Sequence, residues 1–498
     1  MTLDPRRIPV IVGVGQYNDR RAPGDDGMDS VELMVESALV ADRDAGGGFI
    51  ARCDWLGVVP QISFRDLNPE VMVPQALGMA PHVSPCAMAS GDTPVRHLND
   101  AANAINRGQA TVCLVTGGEA LRTASRRNRT SGPGGGAFRA AATASDLRRR
   151  YGLVNAADIY PLYENATRPA WGQTLAQGQA ETGMIWSLMS QVAADSEGAW
   201  IRSAATSDQI IEPTADNRRI AFPYNKLMVA NSSVNQGASF IVSSLAAARE
   251  AGITDDRCVY VWAGASAHES EEPLERAVWD RPPSGMRVTL ERVLQANRLT
   301  IDELDRVELY SCFPCVPKMA RRVLGWPADR PATVHGGLTF GGGPIANYMS
   351  HAVVATVQAL RQAGKHGLLY ANGGHCTHNH AIVVSRTPPP PDLLGRDYDY
   401  QTEAELARPP IPAIGDDFEG PVTLETYTVF YDRSGAPTHG VVLARAPDRT
   451  RVVAKVDSAE RAAIAFLTDG HSEPVGSLGT TERRGDTLFW APSPRSDP

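Results

Sequence analysis

The chain is poor in the features that usually betray a partner. No run approaches the roughly 20 apolar residues that cross a bilayer, and the opening stretch MTLDPRRIPVIVGVGQ has no apolar core of a secretion signal. The expectation is a cytoplasmic protein with no membrane partner. Basic charge is also scarce: 48 Lys and Arg stand against 56 Asp and Glu, a formal charge of −8. That balance excludes the clustered positive field that nucleic acid selects. Anionic ligands would need a local basic patch. Cysteines number seven, at 53, 86, 113, 258, 312, 315 and 376. An odd, scattered set argues against a disulfide framework and for reduced thiols, most of them small buried hydrophobes.

What is present is a soluble composition, 43% hydrophobic and 21% charged over 498 residues, enough for two or three domains or one large doubled fold. Short apolar runs at 9–15, 111–118, 258–264 and 367–374 alternate with helical patterns, as in a layered α/β protein. Each run ends in glycine or another small residue, where ligands of such folds sit. Two stretches repeat one design of glycine, proline, helix, apolar strand and double glycine, one from Ser90 and one from Gly342. Helical spacing is carried by Val95, Leu98, Ala102 and Ile105 in the first, and by Ile345, Met349, Ala352, Val353, Thr356 and Leu360 in the second. An internal duplication follows, with two similar halves about a pseudo-twofold axis.

The expected organisation is an N-terminal half over 1–250, holding an inserted loop domain at about 122–225, and a C-terminal half over 251–390. A proline-rich linker at 391–414 leads to a small β domain at 415–498, where GPVTLETYTVFYDRSGAPTHGVVLARAP alternates apolar and polar residues around an RSG turn.

Five segments in order, CLVTGGEAL (113–121), KLMVANSSVNQGAS (226–239), VELYSCFP (307–314), GGLTFGGGPIANYMSHA (336–352) and the glycine loop at 373, resemble the thiolase superfamily. The likeness is greatest to sterol-carrier-protein-type thiolases and to thiolase-like proteins with an extra C-terminal domain. The resemblance implies a duplicated five-layer α/β/α/β/α core, with an inserted loop domain and a small OB-like C-terminal β domain. It also implies an acyltransferase that cleaves or forms a carbon–carbon bond on a β-keto acid or β-ketoacyl-coenzyme A, with coenzyme A as substrate or co-substrate and a homodimeric or monomeric state. No metal is expected.

The standard machinery is altered in this sequence. The family's Cys-x-Ser-Gly reads MASG, Met88 to Gly91, and Cys86 lies two residues too early for near-attack geometry. Ser90 is either a nucleophile or a helix cap. Gly-His-Pro reads Gly342, Gly343, Pro344, and the family's histidine in the YSCF segment is Tyr310, a phenol able to donate to an enolate oxygen or act as acid and base.

The resemblance makes Cys376 the nucleophile or proton shuttle, in a loop where cysteine beside histidine can ionise near neutral pH. His378 and His335 become acid and base candidates, and Tyr310 and Cys312 oxyanion-side or positioning groups. Asn231, Ser232 and Asn235 match an asparagine-rich turn by the site, or serve only as caps. Gly91 and Gly343 would let two helix starts, at Gly91 and Pro344, aim free N–H groups at an enolate. The rival reading of Cys312, Cys315, Cys376 and His378 is a tetrahedral zinc site. Arginines at 125–129 and 146–152 suit coenzyme A phosphates or are solvated faces. A retro-aldolase on a β-hydroxyacyl thioester and a non-catalytic acyl-thioester or lipid carrier remain alternatives.

Overall fold

A computed structural model describes residues 4–21, 27–85, 88–131 and 144–493. Cys86 and the glycine-rich stretch after Ser131 lie outside the described residues. The first half supplies strands β1 (Pro9–Asn18), β2 (Trp55–Val58), β3 (His82–Ser84), β4 (Val112–Glu119), β5 (Arg219–Ala221), β6 (Tyr224–Asn225) and β7 (Gln236–Ser244). The second supplies β8 (Val259–His268), β9 (Arg306–Leu309), β10 (His366–Gly373) and β11 (His378–Ser385). After these come β12 (Ile414–Gly415), β13 (Gly420–Tyr431), β14 (Pro437–Arg445), β15 (Arg451–Asp457), β16 (Leu478–Arg484) and β17 (Thr487–Pro492).

The duplication is written into the hydrogen-bond pattern. In the first half β1 runs antiparallel to β7, β7 antiparallel to β4, and β4 parallel to β2. In the second, β8 runs antiparallel to β11, β11 antiparallel to β10, and β10 parallel to β9. The halves join edge to edge, Val10 opposite Tyr260 and Ile11 opposite Val259, in the order β3-β2-β4-β7-β1-β8-β11-β10-β9. Every residue of β4, β7 and β10 is buried. Covering on both faces is why these strands read as continuous apolar runs rather than alternating ones.

The two related helices, Thr93–Arg107 and Tyr348–Gln362, bury Val95, Leu98, Ala102 and Ile105 in one, and Met349, Ala352, Val353, Thr356 and Leu360 in the other. The second does not begin at Pro344, as expected, but at Tyr348, behind a short 3-10 turn at Ile345–Asn347. Its cause is local. Gly343 N–H is tied to Asn231 O at 2.8 Å, and Ile345 doubles back at φ 47° to donate its own N–H to Gly343 O at 2.7 Å.

The tail closes on itself. β13 pairs with β14, β14 with β15, β15 with β17 in parallel, β17 with β16, and β16 with β13 again. A five-stranded closed barrel with this order, and with the helix Arg461–Thr468 between its third and fourth strands, is OB-like. The barrel is not an appendage. Ala221 of β5 pairs with Phe430 of β13, Phe222 N–H donates to Val429 O at 2.8 Å, and Asn165 Nδ2 donates to Tyr427 O at 2.8 Å. The insertion between the half-sheets therefore extends the barrel's sheet. The proline-rich stretch also packs down: Tyr400 N–H donates to Ser266 O at 2.9 Å, and Glu403 pairs with Arg292 at 2.6 Å.

Candidate active site

A helix start from the first half and the β10–β11 hairpin turn from the second meet at the end of the doubled sheet. Ser90, Gly91 and Asp92 precede the helix Thr93–Arg107, and His378 opens β11 directly opposite Gly373. Their approach is close enough to demand glycine. A Cβ on Gly91 would lie 2.3 Å from both Asn372 O and the Tyr310 hydroxyl, and one on Gly373 would lie 1.9 Å from Ser90 Oγ. At Gly91 a side chain would have to displace the Asn372 backbone, and at Gly373 it would have to displace the Ser90 and Asp92 side chains, so these positions set how tightly the halves close.

The meeting point carries a chain of polar contacts. His378 Nδ1 lies 3.0 Å from Ser90 Oγ and 3.6 Å from Asp92 Oδ1, and its Nε2 lies 2.6 Å from Glu271 Oε1. Ser90 in turn donates its hydroxyl to Asp92. Burial disfavours charge on His378, but hydrogen bonds and attraction from the Asp92 and Glu271 carboxylates outweigh it and raise the imidazole to about 10. It is an imidazolium at neutral pH. Burial works against the Asp92 carboxylate too, yet His378 and Ser90 hold it well below the usual carboxylate range. The histidine is thus a proton donor and a fixed positive charge, not a resting base. His268 stands edge-on to it at 5.1 Å.

Tyr310, just past β9, brings its hydroxyl to Gly91, and its ring meets Tyr348 edge-on at 6.0 Å. Burial pushes its phenol well above 10, so it keeps its proton and can only donate, rather than act as acid and base. A cleft of about 950 Å³ reaches Ala89, the chain neighbour of Ser90, while Ser90, His378 and Tyr310 are not among its lining residues. Ala89, Ser232 and Ile345 line one part of it, and Pro60, Ile62, Arg65, Leu67 and Ala156 line others. Glu119 fixes the wall by accepting from the N–H groups of Ile62 and Ser63, each at 3.0 Å.

Other candidates are placed elsewhere. Cys376 is fully buried at φ 60°, its N–H bonded to the Tyr160 hydroxyl at 3.2 Å. Burial, with Cys312 nearby, drives its thiol well above 9, so the expected ionisation beside His378 does not occur. Although two residues apart, they diverge because Cys376 lies in the turn and His378 in the strand. Cys312 is likewise buried and pushed up to about 12. Its carbonyl accepts from Ala230 N–H at 3.0 Å. His335 is buried behind Tyr348, 5.3 Å from the stacked ring of His351 and 3.4 Å from Ser196 Oγ, and burial lowers it to about 4.

Asn235 is a cap, holding Thr123 through its N–H at 3.0 Å and Oγ1 at 2.9 Å. Asn231 shapes the turn opposite Gly343, whose N–H it occupies and so withholds from any oxyanion. Ser232 faces the cleft. Among the described residues no group of three or more His, Cys, Asp or Glu is placed to hold a metal ion. Arg148 is buried, bonded to the carbonyls of Leu153 at 2.8 Å and Val154 at 3.1 Å, and Arg150 pairs with Asp416. Arg148 is therefore no solvated arm, while Arg150 is exposed but tied to Asp416; among the described residues Arg65 is the arginine that lines the cleft. No described helix is long and apolar enough to cross a membrane.

Sequence reasoning missed Asp92 and Glu271. Asp92 stood two residues after Ser90 and could have been read as its acceptor, whereas nothing marks Glu271, which reaches His378 from a loop across 107 residues.

Comparison with known proteins agrees with this architecture. Residues 401–483 match the family model of the thiolase-like protein type 1 additional C-terminal domain. No curated protein sequence matches. Among solved structures, a monomeric SCP2-thiolase-like protein type 1 from Mycobacterium smegmatis superimposes with a TM-score of 0.82 at 27% identity, over 99% of this chain and 100% of that one. An acetyl-CoA acetyltransferase from Syntrophomonas wolfei gives 0.56 at 16% identity, over 76% of this chain and 99% of that one. An Ltp2-ChsH2(DUF35) aldolase gives 0.59 at 17% identity, over 76% and 98%. The 76% coverage in both is what the doubled core without a barrel would give. The chain is a thiolase-fold protein that carries the additional C-terminal domain of type 1 thiolase-like proteins.

Proposed function

We propose that this protein is a thiolase-type acyltransferase. It makes or breaks the carbon–carbon bond next to the carbonyl of a β-keto acid or β-ketoacyl-coenzyme A, with coenzyme A as acyl acceptor or donor. The observation that carries the reading is the Ser90–His378 contact of 3.0 Å, one residue along the chain from Ala89 in the wall of a 950 Å³ cleft. A serine oxygen, an imidazolium and a phenol facing one point can take up an acyl group and stabilise the enolate it leaves.

In the cleavage direction Ser90 Oγ attacks the β-carbonyl carbon while Asp92 takes its proton. The carbon–carbon bond breaks, and its electron pair passes to the thioester fragment as an enolate, whose oxygen Tyr310 meets with a hydrogen bond while the His378 charge stabilises it from nearby. Asp92, a weak base that keeps the serine proton only briefly, returns it to the enolate carbon, and the coenzyme A thiol then attacks the acyl carbon while its own proton passes to the leaving Ser90 oxygen. The cleft is large enough for an acyl group with its pantetheine arm, and Arg65 offers it positive charge. A specific observation favours a second reading: burial holds the described thiols Cys312 and Cys376 protonated. A retro-aldol cleavage of a β-hydroxyacyl thioester needs no acyl-enzyme and would use the same donors.

Intact-protein mass measurement after incubation with β-ketoacyl-coenzyme A separates the readings. An acyl adduct that disappears in Ser90→Ala, and persists in Cys86→Ala, Cys312→Ala and Cys376→Ala, supports acyl transfer. Turnover of a β-hydroxyacyl thioester without any adduct supports the aldol route. Binding with neither overturns both and leaves an acyl-thioester carrier. All groups named come from one chain, so a homodimer is compatible with the site but not required by it. Sedimentation at one protomer mass, the state given for the Mycobacterium relative, would overturn the dimer. A cytoplasmic setting goes with this reading.

A further inference from the structure

A second cavity, of about 320 Å³, lies away from the cleft, between the insertion and the barrel. It is lined by Arg168, from the helix Ala156–Ala170 and only 2% exposed, together with Glu473 and His471. One guanidinium nitrogen, Nη1, donates to Gln173 O at 3.0 Å and lies 2.6 Å from Glu473 Oε2. The Nε has no hydrogen-bond partner among the described residues, and neither does the buried Gln173 Oε1 on the same cavity wall. A buried guanidinium left partly unsatisfied is costly unless something else completes it.

Space is kept for this arginine. A Cβ on Gly178 would lie 2.8 Å from Arg168 Cδ, so the glycine of the neighbouring helix makes room for the stem. The rest of the cavity is largely apolar, with Pro169, Leu175, Leu467 and Pro474 around the Tyr427 ring. The carboxylate opposite Arg168 is of a different kind from the floor. Glu473 belongs to the loop between the helix Arg461–Thr468 and β16, and its side chain is 34% exposed. Its other oxygen accepts from Val475 N–H at 3.1 Å within the same loop, so Glu473 can turn to water with that loop, whereas Arg168 is fixed in the interior.

We propose that this cavity is a binding site for a small organic carboxylate with an aliphatic tail, in which the ligand's carboxylate displaces Glu473 from Arg168 and its tail lies against Leu175 and Leu467. Glu473, held through Nη1 at 2.6 Å, then marks where the ligand's carboxylate meets the guanidinium. Occupancy frees the Glu473 loop and leaves the Ser90 site untouched.

The test is titration calorimetry on the full chain with octanoate, acetate and inorganic phosphate. Octanoate binds more tightly than acetate or phosphate, because only it fills the apolar part. Glu473→Gln removes the competing charge and tightens octanoate by about tenfold, the scale of one charged hydrogen bond. This gain cannot arise from misfolding, so it carries the test where Arg168→Lys fails to fold. Ser90→Ala leaves octanoate binding unchanged, which keeps the result independent of the catalytic reading. No tightening in Glu473→Gln, phosphate binding as strong as octanoate, or loss of octanoate in Ser90→Ala each overturns the proposal.

Discussion

His378 is where a single residue decides the chemistry. Its ring is held by carboxylates on both sides, and the proton that it would lose near 6.5 when unfolded it keeps to about 10 when folded. The sign follows directly: the contacts stabilise the fold in full below pH 6.5 and are lost as the pH climbs through about 10. Activity that uses the imidazolium as donor should therefore fall on an alkaline limb near 10. Glu271→Gln removes one of the two carboxylates, and the limb should move down by about one unit or more, the usual effect of an opposite charge within hydrogen-bond reach. A pH–rate profile that stays in place in this variant would show that Asp92 alone sets the proton. The sequence singled out Ser90 and His378 as candidates at glycine-bounded junctions, and the fold brings the two within 3.0 Å of each other. Asp92 and Glu271 were not legible as partners, since their role comes from a fold that folds distant loops onto one ring. Cys376 misled for the same reason: two residues of separation say little in a turn, where the chain reverses and one side chain is sent inward.

At the scale of elements, the turn holding Cys376 rests on the insertion. The helix Ala156–Ala170 brings the Tyr160 hydroxyl to Gly374 O at 3.1 Å and the Tyr163 hydroxyl to His375 O at 3.1 Å. One turn on, Glu164 is buried against Lys318 of the helix Cys315–Leu324 at 2.5 Å, with Tyr224 donating to the same carboxylate at 3.1 Å. Breaking this pair strands a buried charge. Lys318→Met should cost about 3–5 kcal/mol in denaturant unfolding, and adding Glu164→Leu should recover much of it. Equal stability of the single and double variants would mean that the pair is not coupled. Helix periodicity in the sequence gave the two core helices nearly residue for residue, but not the start of the second. Proline at 344 suggested a helix start, and the backbone bond between Gly343 and Asn231, which no local pattern encodes, moved it four residues on.

For the whole molecule, the doubled core and the barrel were both legible, one from repeated glycine-proline-helix-strand patterning and the other from period-two alternation. Their union was not. The expected inserted domain and tail are joined by the β5–β13 pairing, by Arg150 with Asp416, and by Leu488 N–H donating to the Tyr151 hydroxyl at 3.0 Å. Long-range pairings of this kind leave no trace in composition or periodicity. They predict a single calorimetric transition for the full chain; two resolved transitions would show that the barrel melts as a separate unit.

The shared sheet also bears on how the protein is made. Ribosomes deliver β5 and β6 long before β13 exists, so the nascent insert emerges with an open strand edge and exposed apolar flanks. Such an edge invites pairing with other chains until the barrel arrives to cover it. Maturation of the insert therefore waits on a segment translated much later, and a premature stop in the barrel would release a product whose defect lies far upstream.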